Sequence, residues 1–274
     1  MSELQNKVKR PPEDPRSTVE LFAEALTAEN EAVYWSCVHA LRRRGGREVY
    51  ELSASLALSP DSRERELGIR TLAHIELPEN VSEDAVEVVL LEVLALESDP
   101  KVLVRLAGAL DSAGGEKSIP HLIALSRHSD PKVRIEAVCA LMSQEETQAV
   151  MTRLIELTQD PEGDVRNWAT FALAKSDVDT PELRQILLYR TRDENTDARG
   201  EAMCGLAYRG DARVVEPLLL SLAGEPGYLS LMAARMIGDP RLYPALQRLR
   251  ARGTYDAEDL AAALAACRPR KDSI

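Results

Sequence analysis

Aromatic side chains are scarce: Phe, Trp and Tyr make up only 4% of 274 residues, although 45% of the chain is hydrophobic. Sandwich and barrel cores draw heavily on aromatic and β-branched residues, so this shortage points away from sheets. Cysteine is sparse as well. Cys37, Cys139, Cys204 and Cys267 stand far apart with no CxxC pair or other metal-ligand spacing, which suits a reducing cytoplasm and excludes a zinc motif. The four histidines, His39, His74, His121 and His128, form no HExxH pattern. No apolar run reaches membrane-spanning length, and the N-terminal MSELQNKVKRPPEDPR has prolines and mixed charge where a secretory leader needs an apolar stretch. A cytoplasmic protein without a membrane partner is the expectation. Residues 1–16 read as a disordered arm and 268–274 as a flexible tail, with a single helical region over 17–267. Cations are in deficit too: 34 Lys and Arg against 45 Asp and Glu leave a net charge of −11, which repels phosphate backbones and favours a basic partner.

What is abundant is Leu, Ala, Val, Glu and Arg, a helix-forming mixture arranged in a repeat. One phrase recurs: DPKVLVRLAGAL from Asp99, DPKVRIEAVCAL from Asp130, DPEGDVRNWATFAL from Asp160 and DENTDARGEAMCGL from Asp193. Aligning Arg105, Arg134, Arg166 and Arg199 gives separations of 29, 32 and 33 residues, natural for stacked helix pairs. A second amphipathic segment precedes each phrase, so each repeat holds two helices. The Asp-Pro between them ends the first helix, and the aspartate can cap the second. A 100° step puts Val165, Ala169, Ala172 and Leu173 on one face, matched by Val133, Ala137, Ala140 and Leu141 and by Ala198, Ala202, Gly205 and Leu206. Weaker copies upstream and downstream bring the count to about eight hairpins. The expected fold is all-α, a right-handed α-solenoid, with LPENVSED (77–84) as a loop.

These phrases resemble the HEAT-repeat family in the form with an Asp-Pro turn and a following Val-Arg. DPEGDVRNWATFALAKSD and GEAMCGLAYRGDARVVEPLL are similar to bacterial YibA-like proteins of the bilin-lyase-like HEAT class. The resemblance implies a binding scaffold, and for members of that group a suspected role as immunity proteins beside toxin loci. It also brings two alternatives: a bilin-lyase-like enzyme or small-molecule binder, and a nucleic-acid binding or repair protein. The di-iron HEAT enzymes use paired His-Glu steps, and no histidine here precedes a glutamate, so no metal or other cofactor is expected. The cysteines read as buried packing residues, since Cys139 and Cys204 take equivalent places in the repeat. The run RRRGGR at Arg42–Arg47 reads as a helix end, and GEKS at Gly115–Ser118 lacks the full phosphate-loop spacing.

Each motif arginine lies beside an acidic turn. Arg105, Arg134, Arg166 and Arg199 are therefore expected to form a structural ladder with Asp130, Asp160, Asp164 and Asp197. With no catalytic constellation, the reading is a non-enzymatic protein that binds a partner, plausibly a basic toxin domain, on the concave face formed by the second helices. That strip would carry Trp35, Val38 and His39, then Glu66, Ile69 and Arg70, then Asn167, Thr170 and Phe171, and lastly Met203, Cys204 and Tyr208. Trp35, His39, Arg70, Asn167, Phe171 and Tyr208 are the expected contacts, because aromatic and arginine side chains dominate binding hot spots. Trp168 is assigned to the core side.

Overall fold

A computed structural model describes residues 14–79, 81–113, 115–253 and 257–269. Sixteen α-helices and no strand occur among them, in eight successive pairs. They are α1 (Thr18–Thr27) with α2 (Glu31–Arg44), α3 (Gly46–Ala57) with α4 (Ser62–Leu72), and α5 (Glu83–Leu96) with α6 (Pro100–Ala113). Next come α7 (Ser118–Leu125) with α8 (Pro131–Met142), α9 (Gln148–Leu157) with α10 (Gly163–Lys175), and α11 (Pro181–Arg190) with α12 (Thr196–Tyr208). The last pairs are α13 (Val215–Ala223) with α14 (Tyr228–Ile237) and α15 (Tyr243–Arg252) with α16 (Ala257–Ala266). The chain divides into two compact units at Pro120, each a stack of HEAT-type hairpins.

Capping chemistry sets the boundaries. Asp130 accepts the Lys132 amide at 2.8 Å and Pro131 opens α8, where a missing N–H costs nothing. Asp99 serves α6 in the same way, accepting from Lys101 N at 2.9 Å. The start of α7 is served from a distance. Glu87 of α5, almost fully buried, accepts both the Ser118 amide at 2.8 Å and the Ser118 hydroxyl at 2.7 Å, so GEKS is a helix-start turn tied to a neighbouring carboxylate. The loop expected over 77–84 ends sooner, because α5 begins at Glu83, with the exposed Asp84 in its first turn, where an acidic side chain favours the positive end of the helix.

In the first unit α4 packs against both α2 and α6; in the second, α8, α10, α12, α14 and α16 pack in sequence. Small residues let the helices approach. Ala137, Ala169 and Ala202 are fully buried, and a Cβ added to Gly205 would lie 2.9 Å from that of Ala174. Leucines and valines fill the space between, each contributing about 1.5–3 kcal/mol by leaving water.

The two chain-end expectations fall mostly outside the described residues. Most of the arm lies outside the described residues, but Asp14 to Arg16 are held: Arg16 donates to Asp14 at 2.5 Å and Glu24 at 2.7 Å, and Arg44 Nη2 reaches the carbonyls of Asp14 (2.9 Å) and Arg16. Of the tail, residues 270–274 lie outside the described residues. No described helix is long and apolar enough to cross a membrane.

Candidate functional site: exposed aromatic faces and an arginine ladder

In the first unit α2 and α4 carry a half-buried basic and aromatic cluster. Trp35 and His39, one turn apart on α2, stack with ring centroids 5.7 Å apart, and Tyr34 meets Trp35 edge-on at 5.5 Å. The Arg70 guanidinium of α4 lies 4.9 Å from the Trp35 centroid and 5.9 Å from that of Tyr34, a cation–π arrangement. Glu66 lies 3.8 Å from both Arg70 and Arg105. Burial, together with the charge of Arg105, holds the Arg70 pKa below the usual arginine value. Its Nε is buried without a hydrogen-bond partner. The cluster therefore keeps an unspent donor beside an aromatic surface.

The second unit has a counterpart on α10 and α12. Trp168 packs edge-on against Phe171 with centroids 5.8 Å apart, and Lys175 Nζ lies 5.3 Å from the Phe171 centroid. Tyr208 is 60% exposed with the Arg209 guanidinium 5.9 Å from its ring. Asn167 is half-buried and its Oδ1 lacks a hydrogen-bond partner. Burial, aided by Asp197, raises the Glu201 pKa against the opposing charge of Lys175.

Several strip assignments change. Val38, Ile69, Thr170, Met203 and Cys204 are buried, because the next helix covers one flank of the predicted strip. Trp168, assigned to the core, is 37% exposed and joins the surface beside Phe171. Its neighbour one turn on, Ala172, is buried, and no wheel drawn for an isolated helix tells which of the two flanks is covered.

The ladder has a definite geometry. Arg65 donates to Glu97 through Nε (2.7 Å) and Nη2 (3.2 Å), Arg134 to Asp160 through both at 2.8 Å, and Arg166 to Asp193 at 2.9 and 2.8 Å. In each case Nη1 holds two carbonyls of the arginine's own preceding loop: Ser59 and Pro60, His128 and Ser129, or Asp160 and Pro161. Arg105 stands outside this pattern. It lies three residues after its core valine, Val102, whereas Arg134 and Arg166 directly follow theirs, so Leu103 takes the ladder position and Arg105 instead faces Glu66. The short separation of 29 residues reflects this shift in register. Asp130 caps its own helix, while Asp164 and Asp197 are exposed in the first turns of α10 and α12. Asp164 accepts from Asn195 Nδ2 at 3.4 Å, and Arg166 turns instead to Asp193. Asp193 opens one of the acidic turns that the sequence offers for pairing, whereas Glu97 was not singled out, although it sits one repeat after Arg65.

The remaining reactive groups are occupied structurally. Arg42 donates to the Arg70 carbonyl, and Arg209 gathers the carbonyls of Leu173, Ala174 and Ser176 at the end of α10. Burial pushes the Cys204 thiol up to about 12 and the Cys267 thiol up to about 11, and each sulfur donates to a backbone carbonyl. No group of three metal-ligating side chains occurs among the described residues.

Residues 87–174 match the HEAT-repeat family. Protein YibA of Escherichia coli strain K12 is 28% identical over 238 residues, spanning 84% of this chain and 84% of that protein. The crystal structure of E. coli YibA superposes with a TM-score of 0.76 at 24% identity and covers 93% of both chains. A Kap121p mutant gives a TM-score of 0.57 at 13% identity, over 91% of this chain and 32% of that one.

Proposed function

This chain belongs to the HEAT-repeat proteins, and from that premise we propose that it is a non-catalytic scaffold that holds a partner protein against the exposed side of its second helices. The observation that carries the reading is the Trp35, His39 and Arg70 cluster, half-buried aromatic and arginine side chains whose inner edges pack on the core while His39 is exposed beside them. Aromatic rings and arginines are the residues from which binding hot spots are built. Trp168, Phe171 and Tyr208 supply similar material in the second unit.

The net charge of −11 favours a basic partner by long-range steering. A cationic toxin domain is one partner of that chemistry, and the similarity to YibA-like proteins motivates testing it. Partners captured from the native host would be titrated by calorimetry against the parent and the Trp35→Ala/Arg70→Ala double variant. The expected loss is about 2 kcal/mol or more of binding free energy, read well below the variant's melting temperature because Trp35 also packs on the core. Higher salt should slow association, because the field is screened over about 10 Å at 0.1 M. Equal affinity of parent and variant would remove the site, and turnover of a small molecule by the purified protein would overturn the non-catalytic reading.

A further inference from the structure

Arg199 makes only half of the ladder contact. Its Nη1 holds the carbonyls of its own preceding loop, Asp193 at 2.7 Å and Glu194 at 3.0 Å, as in the other rungs. The other half differs. Nη2 meets only the Thr196 hydroxyl, at 3.2 Å, and among the described residues no carboxylate pairs with the fork formed by Nε and Nη2. A cavity of about 380 Å³ opens at this place, lined by Arg192, Arg199, Met203, Glu216, Leu220 and Glu225 among others.

The chain does not close this rung itself for a local reason. The three ladder acids are braced by backbone amides that follow them: Asp160 by Glu162 N and Asp193 by Asn195 N, each at 2.9 Å, and Glu97 by Ser98 N and Asp99 N, each at 2.8 Å. One repeat after Asp193 stands Glu225, exposed and followed by Pro226, which has no amide proton to offer. Glu225 forms no ion pair among the described residues.

We propose that this cavity is a carboxylate-binding site, in which a ligand carboxylate accepts from Arg199 Nε and Nη2 the two parallel hydrogen bonds that Asp160 takes from Arg134 and Asp193 takes from Arg166. A guanidinium fork matches a carboxylate in both spacing and charge. Met203 and Leu220, the latter 77% exposed, give the ligand an apolar wall, so the fitting class is a monocarboxylate on a short apolar stem. Glu216 and Glu225 offset the charge of Arg192 and disfavour a phosphate dianion. The same chemistry is found in a free short-chain acid and at a peptide C-terminus. The site goes beyond the scaffold function and does not depend on it.

The test uses the full chain with ¹⁵N-labelled arginine. The Nε–H resonances are followed by NMR during titration with butyrate, with acetyl-Gly-Leu as the free acid, with the same dipeptide as its amide, and with inorganic phosphate. Arg199 should shift saturably with the first two and not with the amide, while Arg134 and Arg166, already paired, stay still. Tighter binding of the dipeptide acid than of butyrate assigns the site to a peptide terminus, and the reverse order to a free acid. Arg199→Lys keeps the charge but loses the fork and should weaken binding by about tenfold or more. Leu220→Trp, an exposed change that fills the cavity, should abolish the shift with melting unaltered. An unmoved Arg199 resonance overturns the proposal, as does phosphate binding more tightly than butyrate, or Arg199→Lys and Leu220→Trp both binding like the parent.

Discussion

Arg166 grips Asp193 at two points, Nε to Oδ2 at 2.9 Å and Nη2 to Oδ1 at 2.8 Å, with the aspartate side chain only 2% exposed. Arg190 adds a third contact to the same carboxylate at 2.9 Å. One carboxylate thus anchors both the hairpin before it and its own helix end, and its oxygens answer to two cations in a site that water scarcely reaches.

Replacing Asp193 by Asn should therefore cost far more than the loss of a surface pair. Removing one partner of a buried ion pair leaves an uncompensated charge and costs about 3–5 kcal/mol. Urea unfolding of the variant is expected to show a drop in that range. A drop of a few tenths would mean that the pair is solvated and weak.

Acid should release the same contact. Burial alone would raise the Asp193 pKa, but hydrogen bonds from Arg166 and the Asn195 amide, with the charges of Arg166 and Arg190, outweigh it and hold the carboxyl below the usual aspartate range. A lowered carboxyl contributes stability that is complete above the unfolded value, about pH 4, and is lost as pH falls toward the folded value. The parent should lose stability below pH 4 more steeply than Asp193→Asn does. Parallel acid profiles by circular dichroism would exclude Asp193 as a source of the loss.

The two faces of α10 should respond oppositely to substitution. Ala169 is fully buried against neighbouring helices, so Ala169→Trp overfills the contact and should cost about 1–3 kcal/mol or more. Trp168→Ala removes an exposed ring and should shift the thermal midpoint little. If Trp168→Ala melts early while Ala169→Trp melts like the parent, the assignment of faces is inverted.

Cys204 and Cys267 should resist alkylation in the native protein at pH 8. With thiols raised to about 12 and about 11 and both side chains buried, almost no thiolate is present or reachable. Mass spectrometry after brief iodoacetamide treatment, with and without urea, should find these two labelled only in urea. Rapid native labelling of Cys204 would revive a covalent role for it.

Much of this architecture follows from spacing alone. The strip Val165, Ala169, Ala172 and Leu173 is buried as its period requires, and the Asp-Pro turns at Asp99 and Asp130 open α6 and α8 at their prolines. Register was harder to read. Arg105 sits in a phrase so like the others that only its short separation from Arg134 betrays a two-residue shift onto a different face. The exposed strip was partly legible: Trp35, His39 and Phe171 are at the surface or half-buried, while Ile69 and Thr170 are not. An isolated helix wheel finds the core direction but not which flank a neighbour covers. Glu97 was missed because its partner lies a full repeat away, where only the stacking of hairpins brings it within reach.

The ladder also bears on how such a chain can change in length. The closed rungs of Arg65, Arg134 and Arg166 have the same fitting on both sides, a loop carbonyl pair behind and a carboxylate ahead. Cutting out residues 161–193 would join Asp160 to Glu194, leaving Asp160 to receive Arg134 on one side and to offer its carbonyl to Arg199 on the other. Unequal crossing-over between two such turns would splice hairpins in or out without spoiling the joint. Genes built on this phrase can therefore drift in repeat number while each product keeps its rungs connected.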